Sequence, residues 1–516
     1  MSPTFQSQNA RTGEILPGEF HEATPHQIDA ALRAAVDAFR TFRQTSADKR
    51  AQFLERIAAG VEAVAEDLIE LADQETALGR PRLPGELARA CNGARMFAAM
   101  VREGSWVDAR IDTALPDRKP APKPDIRLMH RPVGPVVVFG ASNFPFAISV
   151  IGSDTVAALA VGCPVVVKAH PAHPHTCERL AAIVKDAARE SGLPDGVFTM
   201  VHGRSHEVGT ALVAHPATEA VAFTGSLRGG RALFDVASKR ERPVPVYAEM
   251  GSLNPVFLLP RALVARGEQI AEGFVASLTL GTGQFCTNPA MVLAPHGASL
   301  DFFLSEAGRR VAAVAPASML HRGIHQAYEQ GVNRIQALQD VLVTARAAGA
   351  DQSKCQASAV LFETDSETYF KHPEVLREEV FGPSSVVLRC TGQADMIRFA
   401  ESMDGSLSAT LHGTPEDLAE FSELIEVLQT KVGRLVINGY PTGLEVCPSL
   451  HHGGPYPATT HSHFTSIGLS AFLRFVRPLC FQDVPEMLLP EELRDSNPRG
   501  IWRLVNGVRT QSAVAS

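Results

Sequence analysis

The 516-residue chain has eight cysteines and no Cys-x-x-Cys pair among them. That spacing argues against the common zinc modules and against a disulfide framework, and it suits a reducing cytosol. No long Lys/Arg run is present and the formal net charge is −8, so nucleic acid is not the expected partner. Met1-Ser2-Pro3-Thr4-Phe5-Gln6 lacks the basic and apolar regions of a signal peptide. The most apolar region, 146–167, is interrupted by Ser153, Asp154 and two glycines, so it reads as buried elements and no membrane partner is expected. A Gly-x-Gly-x-x-Gly fingerprint is also missing, both after the first apolar run and at Gly281-Thr282-Gly283.

What is present is an ordinary globular composition, 45% hydrophobic and 20% charged, in a chain long enough for two or three domains. Helical spacing covers Pro25 to about Leu71 and about Leu83–Arg102. A proline-rich stretch, Leu115 to Pro124, predicts an extended connection. Short runs that are apolar throughout then follow: Val136–Phe139, Pro164–Val167, Gly196–Val201, Ala220–Phe223 and Pro243–Ala248. Helical segments separate them, near 153–160, 176–189, 206–214 and 230–238. This alternation predicts an α/β fold with a Rossmann-like parallel sheet covered on both faces. A second α/β region starts near Asn254, with helices at about 269–280 and 324–348 and strands near 359–362, 385–389 and 434–438.

One thiol stands out. Cys286 follows Leu280-Gly281-Thr282-Gly283-Gln284-Phe285 and precedes Thr287-Asn288-Pro289, a turn-rich setting. A nucleophilic cysteine needs such access and a field that favours its thiolate; the ordinary alternative is a buried cysteine acting as a small hydrophobe. With no glycine fingerprint, Phe223-Thr224-Gly225-Ser226 is the better phosphate turn, because it ends a strand and opens a helix.

Six short motifs occur in order: Ser142-Asn143-Phe144-Pro145, Val167-Lys168, Phe223–Ser226, Ala248-Glu249-Met250-Gly251, Gly283–Cys286 and Glu378-Glu379-Val380-Phe381-Gly382-Pro383. In this order and spacing the chain resembles the aldehyde dehydrogenase superfamily from about residue 5 to 505. The resemblance implies a dinucleotide-binding domain at 1–115 and 132–250 and a second α/β catalytic domain at 251–450. A small β oligomerisation arm with the C-terminal tail would take 116–131 and 472–516. It implies that Cys286 attacks an aldehyde, that Asn143 and the Cys286 N–H hold the oxyanion, and that Glu249 activates water, with burial raising its pKa. Lys168 would bind the adenine-side ribose, Gly225 and Ser226 the pyrophosphate, and Glu379 the nicotinamide ribose, with Phe381 packing near the ring. Relatives that prefer NAD have a glutamate three residues after the lysine. Here that residue is Pro171, so NADP is the expected cofactor and NAD the alternative. Arg204 is the candidate partner for the 2′-phosphate. Taken singly, each of these residues also has an ordinary reading as a turn, loop or surface side chain.

His170-Pro171-Ala172-His173-Pro174, Gly439–Cys447 and His452–Thr459 resemble the branch of 2-oxoglutarate semialdehyde dehydrogenases, which has NADP-dependent fatty aldehyde dehydrogenases as relatives. The resemblance implies a short aldehyde bearing a carboxylate, in a tunnel walled by Phe144, Ile148 and Phe285 near Ser449, His451 and His452. No anchoring residue for the carboxylate is identifiable. A long-chain aldehyde, acyl transfer to coenzyme A or phosphate, and an inactive ligand-binding homologue are the alternatives. A cysteine protease is disfavoured because no signal pairs a histidine with Cys286. The histidine clusters have no helical His-x-x-x-His pair, so no metal is expected. A cytoplasmic homodimer or homotetramer is expected.

Overall fold

Val136, Val138, Val165 and Val167 point into one apolar cluster, and Val137, Val166 and Val221 into another. Alternate side chains of one strand thus feed cores on both faces, which is why these runs are apolar throughout. Each fully buried valine contributes about 2 kcal/mol through burial. In this computed structural model, which describes residues 2–514, they build a five-stranded parallel sheet. Its order is Phe198–Val201, Val165–Lys168, Val136–Phe139, Ala220–Thr224, Val246–Glu249. The order reverses beside the Val136–Phe139 strand, and its carboxyl-end crevice is where such sheets bind ligands.

A seven-stranded sheet forms the second domain, in the order Leu342–Arg346, Val360–Asp365, Ser384–Cys390, Met291–Pro295, Val256–Leu258, Ser406–His412, Val432–Ile437. All pairings are parallel except that of Leu342–Arg346. The helix expected over 324–348 instead spans Arg322–Gln336. Leu342–Arg346 is an edge strand, as its β-branched Val343 and Thr344 favour.

A third, five-stranded sheet joins Val476–Gln482, Ile126–Pro132, Arg110–Asp112, Arg503–Val505 and Val508–Thr510. The expected boundary at 115 therefore cuts across it, since its Arg110–Asp112 strand precedes the proline-rich connection. Residues after 450 leave the second domain. They run back to the first sheet, where Thr459 bridges to Glu249 and Leu469–Phe475 packs on the Ser153–Val161 helix.

Candidate active site

The loop carrying Cys286 is held from two sides. The Pro260–Thr279 helix runs into the turn Leu280–Gly283. Gly283 has φ 65°, and a Cβ there would lie 2.4 Å from the Gly382 carbonyl carbon, so only glycine lets the two loops close. From below, Asn254 Nδ2 donates to the carbonyls of Cys286 (2.8 Å) and Asn288 (3.1 Å). Asn254 is fully buried, and its Oδ1 accepts from Ser408 Oγ (2.8 Å) and Ser252 Oγ (2.9 Å). Ser406, Ser408, Thr410 and His412 form a buried polar stripe along one strand, and its first two members hold this node. The sequence reading found no strand there because the stripe looks like a surface.

Cys286 Sγ lies 3.5 Å from His452 Nε2, and the same nitrogen lies 3.2 Å from Glu249 Oε1. This corrects the expectation that Cys286 has no histidine partner and that His452 only lines the tunnel. The contact forms because 450–466 runs alongside the end of the Val246–Glu249 strand. Met250 N–H donates to the Ala458 carbonyl, Thr460 N–H to the Ala248 carbonyl, and His452 N–H to Thr465 Oγ1 at 2.8 Å. Ser466 Oγ donates to Glu249 Oε2. The expected rise in the Glu249 pKa is also overturned. Burial does push it up, but His452 and Ser466 outweigh that and hold the carboxyl below its usual range. Burial and Glu249 push the Cys286 thiol well up, so it needs a base to ionise it. The His452 nitrogen can take the thiol proton, and the imidazolium that results lies against the ionised carboxylate.

Asn143 is buried on the loop after the Val136–Phe139 strand. One of its amide hydrogens goes to the Gln284 carbonyl at 3.1 Å, which ties it to the cysteine loop and leaves the second free. Phe144, Ile148, Phe285 and His452 line one cavity of about 400 Å³ with Cys286, whereas Ser449 and His451 are not among its lining residues. Arg82 and Arg89 also face this cavity, and the sequence reading named neither.

The cofactor candidates lie around the carboxyl ends of the first sheet. Lys168 ends its strand, makes no ion pair or hydrogen bond among the described residues, and is pushed down to about 8 by burial. Ser226 caps the Leu227–Ser238 helix, its Oγ accepting from Gly229 N–H at 3.2 Å, and Gly225 and Ser226 are exposed. Helix N–H groups are therefore free for a phosphate. Glu379 lies against Gly251, two residues after Glu249, where a Cβ would meet its Oε2 at 2.5 Å. Burial lifts Glu379 to about 7, opposed by a hydrogen bond from Ser252 N–H and aided by Glu249. Phe381 is half-buried on the same loop. Arg204 is exposed, and Glu22 accepts its N–H at 2.9 Å while also sensing Lys168. His321, from the second domain, approaches His170 with ring centroids 6.3 Å apart. An unpaired lysine, an open helix N-terminus and an unpaired arginine at the ends of parallel strands fit a dinucleotide.

Comparison with known proteins points the same way. The chain is 47% identical over 488 residues to alpha-ketoglutaric semialdehyde dehydrogenase 2 of Azospirillum brasilense, covering 95% of this chain and 93% of that one. It is 43% identical over 512 residues to alpha-ketoglutaric semialdehyde dehydrogenase of Acinetobacter baylyi, covering 99% and 97%. The fold matches the crystal structure of Staphylococcus aureus betaine aldehyde dehydrogenase in complex with NAD+, with a TM-score of 0.79 at 19% identity over 94% of this chain and 93% of that one. Residues 2–456 match the profile of the aldehyde dehydrogenase family. On that match, the chain belongs to the aldehyde dehydrogenase family and is an oxidoreductase acting on aldehydes.

Proposed function

We propose that the chain oxidises 2-oxoglutarate semialdehyde to 2-oxoglutarate with NADP. The observation that carries the reading is the placement of Cys286 and His452 at the wall of one cavity, with Glu249 within 3.2 Å of His452 Nε2 behind them. The near-full-length similarity to two alpha-ketoglutaric semialdehyde dehydrogenases supplies the substrate.

His452 Nε2 takes the Cys286 proton as the sulfur attacks the aldehyde carbon. The oxyanion of the resulting thiohemiacetal is held by the free amide hydrogen of Asn143 and by the Cys286 N–H, which has no backbone partner among the described residues. A nicotinamide held by Glu379 and Phe381 would supply the hydride acceptor that turns the thiohemiacetal of Cys286 into a thioester. Water then attacks the Cys286 thioester, and the ionised Glu249 with His452 receives its proton. Because that base lies beside the sulfur, hydrolysis is favoured over acyl transfer. Formation of reduced cofactor from this semialdehyde without coenzyme A or phosphate tests the reading. A higher kcat/KM for decanal, or a requirement for coenzyme A, rejects it.

For the cofactor, Lys168 would hold the adenine-side ribose, Gly225 and Ser226 the pyrophosphate, and Glu379 with Phe381 the nicotinamide end. Pro171 offers no carboxylate against a 2′-phosphate, and Arg204 is free to pair with it. Arg204→Ala should raise KM for NADP about tenfold and leave NAD unchanged. Equal efficiency with both cofactors in the wild type, with no effect of the substitution, overturns the preference. The tail exposes Met487 (82%), Leu488 (69%) and Val508 (64%), which suits coverage by a second copy of the chain as a homodimer or homotetramer. Light scattering measures that directly. No helix of the described residues is long and apolar enough to cross a membrane. Eight free cysteines suit a cytoplasmic location.

A further inference from the structure

Among the described residues, the cavity beside Cys286 has two arginines on its wall and no Asp, Glu or Lys. Both arginines belong to one helical stretch. Arg82 immediately precedes the Leu83–Glu103 helix and Arg89 lies seven residues on, so they share a face about 10 Å apart along the axis.

Their surroundings differ. Arg82 is wedged between the rings of Phe144 (4.7 Å) and Phe285 (4.6 Å). It donates to the Asn143 carbonyl and lies 3.6 Å from Glu86. Glu86 is fully buried and accepts the N–H groups of Phe146 (2.9 Å) and Ala147 (3.2 Å). Arg82 and Glu86 therefore tether the loop that presents Asn143. Arg89 has no such partners. It stacks 5.5 Å from the Phe144 ring, is half-buried, and makes no ion pair or hydrogen bond among the described residues. A half-buried guanidinium without an acceptor is costly, and a ligand with an apolar tail would deepen that cost. A carboxylate would relieve it by accepting charge-assisted, bidentate hydrogen bonds.

We infer that Arg89 is the anchor for the substrate carboxylate, with the aldehyde directed at Cys286, and that Arg82 holds the aromatic wall and the Asn143 loop in place. The inference rests on the proposed aldehyde oxidation and adds the residue that selects an acidic substrate. It also separates the acidic-semialdehyde reading from the long-chain one, because both ligands could use the apolar walls but only the former satisfies Arg89.

The test compares 2-oxoglutarate semialdehyde with its methyl ester. In the wild type the ester should lose about 100-fold in kcat/KM, mostly through KM. Arg89→Met keeps the apolar stem. It should lose about as much with the acid and almost nothing with the ester, so the two changes are not additive. Arg89→Lys should recover part of the acid activity. Ester turnover also shows that each variant is folded. The anchor is overturned if the wild type uses ester and acid equally well. It is also overturned if Arg89→Met slows both substrates by the same factor. Arg89-dependent oxidation of a different carboxylate-bearing aldehyde would leave the anchor standing and remove the substrate reading. Arg89-independent oxidation of 2-oxoglutarate semialdehyde would do the reverse.

Discussion

The first domain holds a second buried group of cysteine, histidine and glutamate, and it differs from the catalytic one in instructive ways. Cys177 Sγ lies 3.2 Å from His173 Nδ1, closer than Cys286 lies to His452. Both residues are completely buried, and His173 Nε2 meets the Ala141 carbonyl at 3.2 Å. Nearby Glu75 accepts from Ser7 Oγ (2.7 Å), His175 N–H (3.0 Å), Thr176 N–H (2.9 Å) and Thr176 Oγ1 (2.7 Å). Every lone pair has a donor, and Cys177 is sealed in the core. At the other site Cys286 opens onto a cavity, and Glu249 Oε1 has no hydrogen-bond partner among the described residues and lies 3.2 Å from His452 Nε2. Proximity of thiol and imidazole is thus common to both. Access and an uncommitted carboxylate oxygen are not, and those are what chemistry requires.

The sharpest way to break this comparison is to remove each thiol. Cys286→Ala should lower kcat/KM at least about 1,000-fold, whereas Cys177→Ala should stay within about twofold and show its effect in Tm. Labelling with iodoacetamide should modify Cys286 and leave Cys177 intact in the native protein. Exchanging the carboxylates comes next. Glu249→Gln should cost about 100-fold in turnover with Tm preserved. Glu75→Gln should destabilise by about 2–4 kcal/mol, because one of its oxygens becomes a donor facing donors, with activity per folded molecule little changed. If Glu75→Gln instead abolishes turnover at unchanged Tm, the division between structural and chemical sites is wrong. The imidazoles follow. His452→Gln should slow alkylation of Cys286 about tenfold or more near pH 7, with the rate recovering as pH rises, since burial and Glu249 hold the thiol protonated. His173→Gln should leave that pH profile unmoved.

Much of this was legible in the sequence, and what was missed has a physical pattern. Val136–Phe139 and Val165–Lys168 were readable because a strand buried on both faces must be apolar at every position. Asn143, Glu249 and Cys286 were singled out because each follows a strand or helix end within an ordered set of motifs. His452 was placed near the tunnel, but its contact with Cys286 was not foreseen. It depends on an irregular segment, 450–466, that crosses between domains, and no periodicity reports such a crossing. Asn254 was hidden because its supporting strand, Ser406–His412, has a polar alternation normally seen on surfaces. Arg89 resembles any arginine on an amphipathic helix until the cavity beside it is seen.

A third, half-buried carboxylate tests the same distinction with a smaller effect. Glu379 leans on Gly251 and senses Glu249, and burial lifts it to about 7. Its folded pKa lies above the ordinary value of 4.5, so below 4.5 both folded and unfolded chains hold the proton and nothing is lost. Between 4.5 and about 7 the folded chain binds more protons than the unfolded one, and stability falls as pH rises. Above that window the cost is constant. Glu379→Gln removes the titration, so its Tm should exceed the wild-type value by about 1–2 °C at pH 8. The difference should shrink as pH falls through 7 and vanish toward 4.5. Parallel melting curves across that range would show that Glu379 is satisfied in its ionised form. It would then belong with Glu75, as a carboxylate whose partners are already in place, and apart from Glu249.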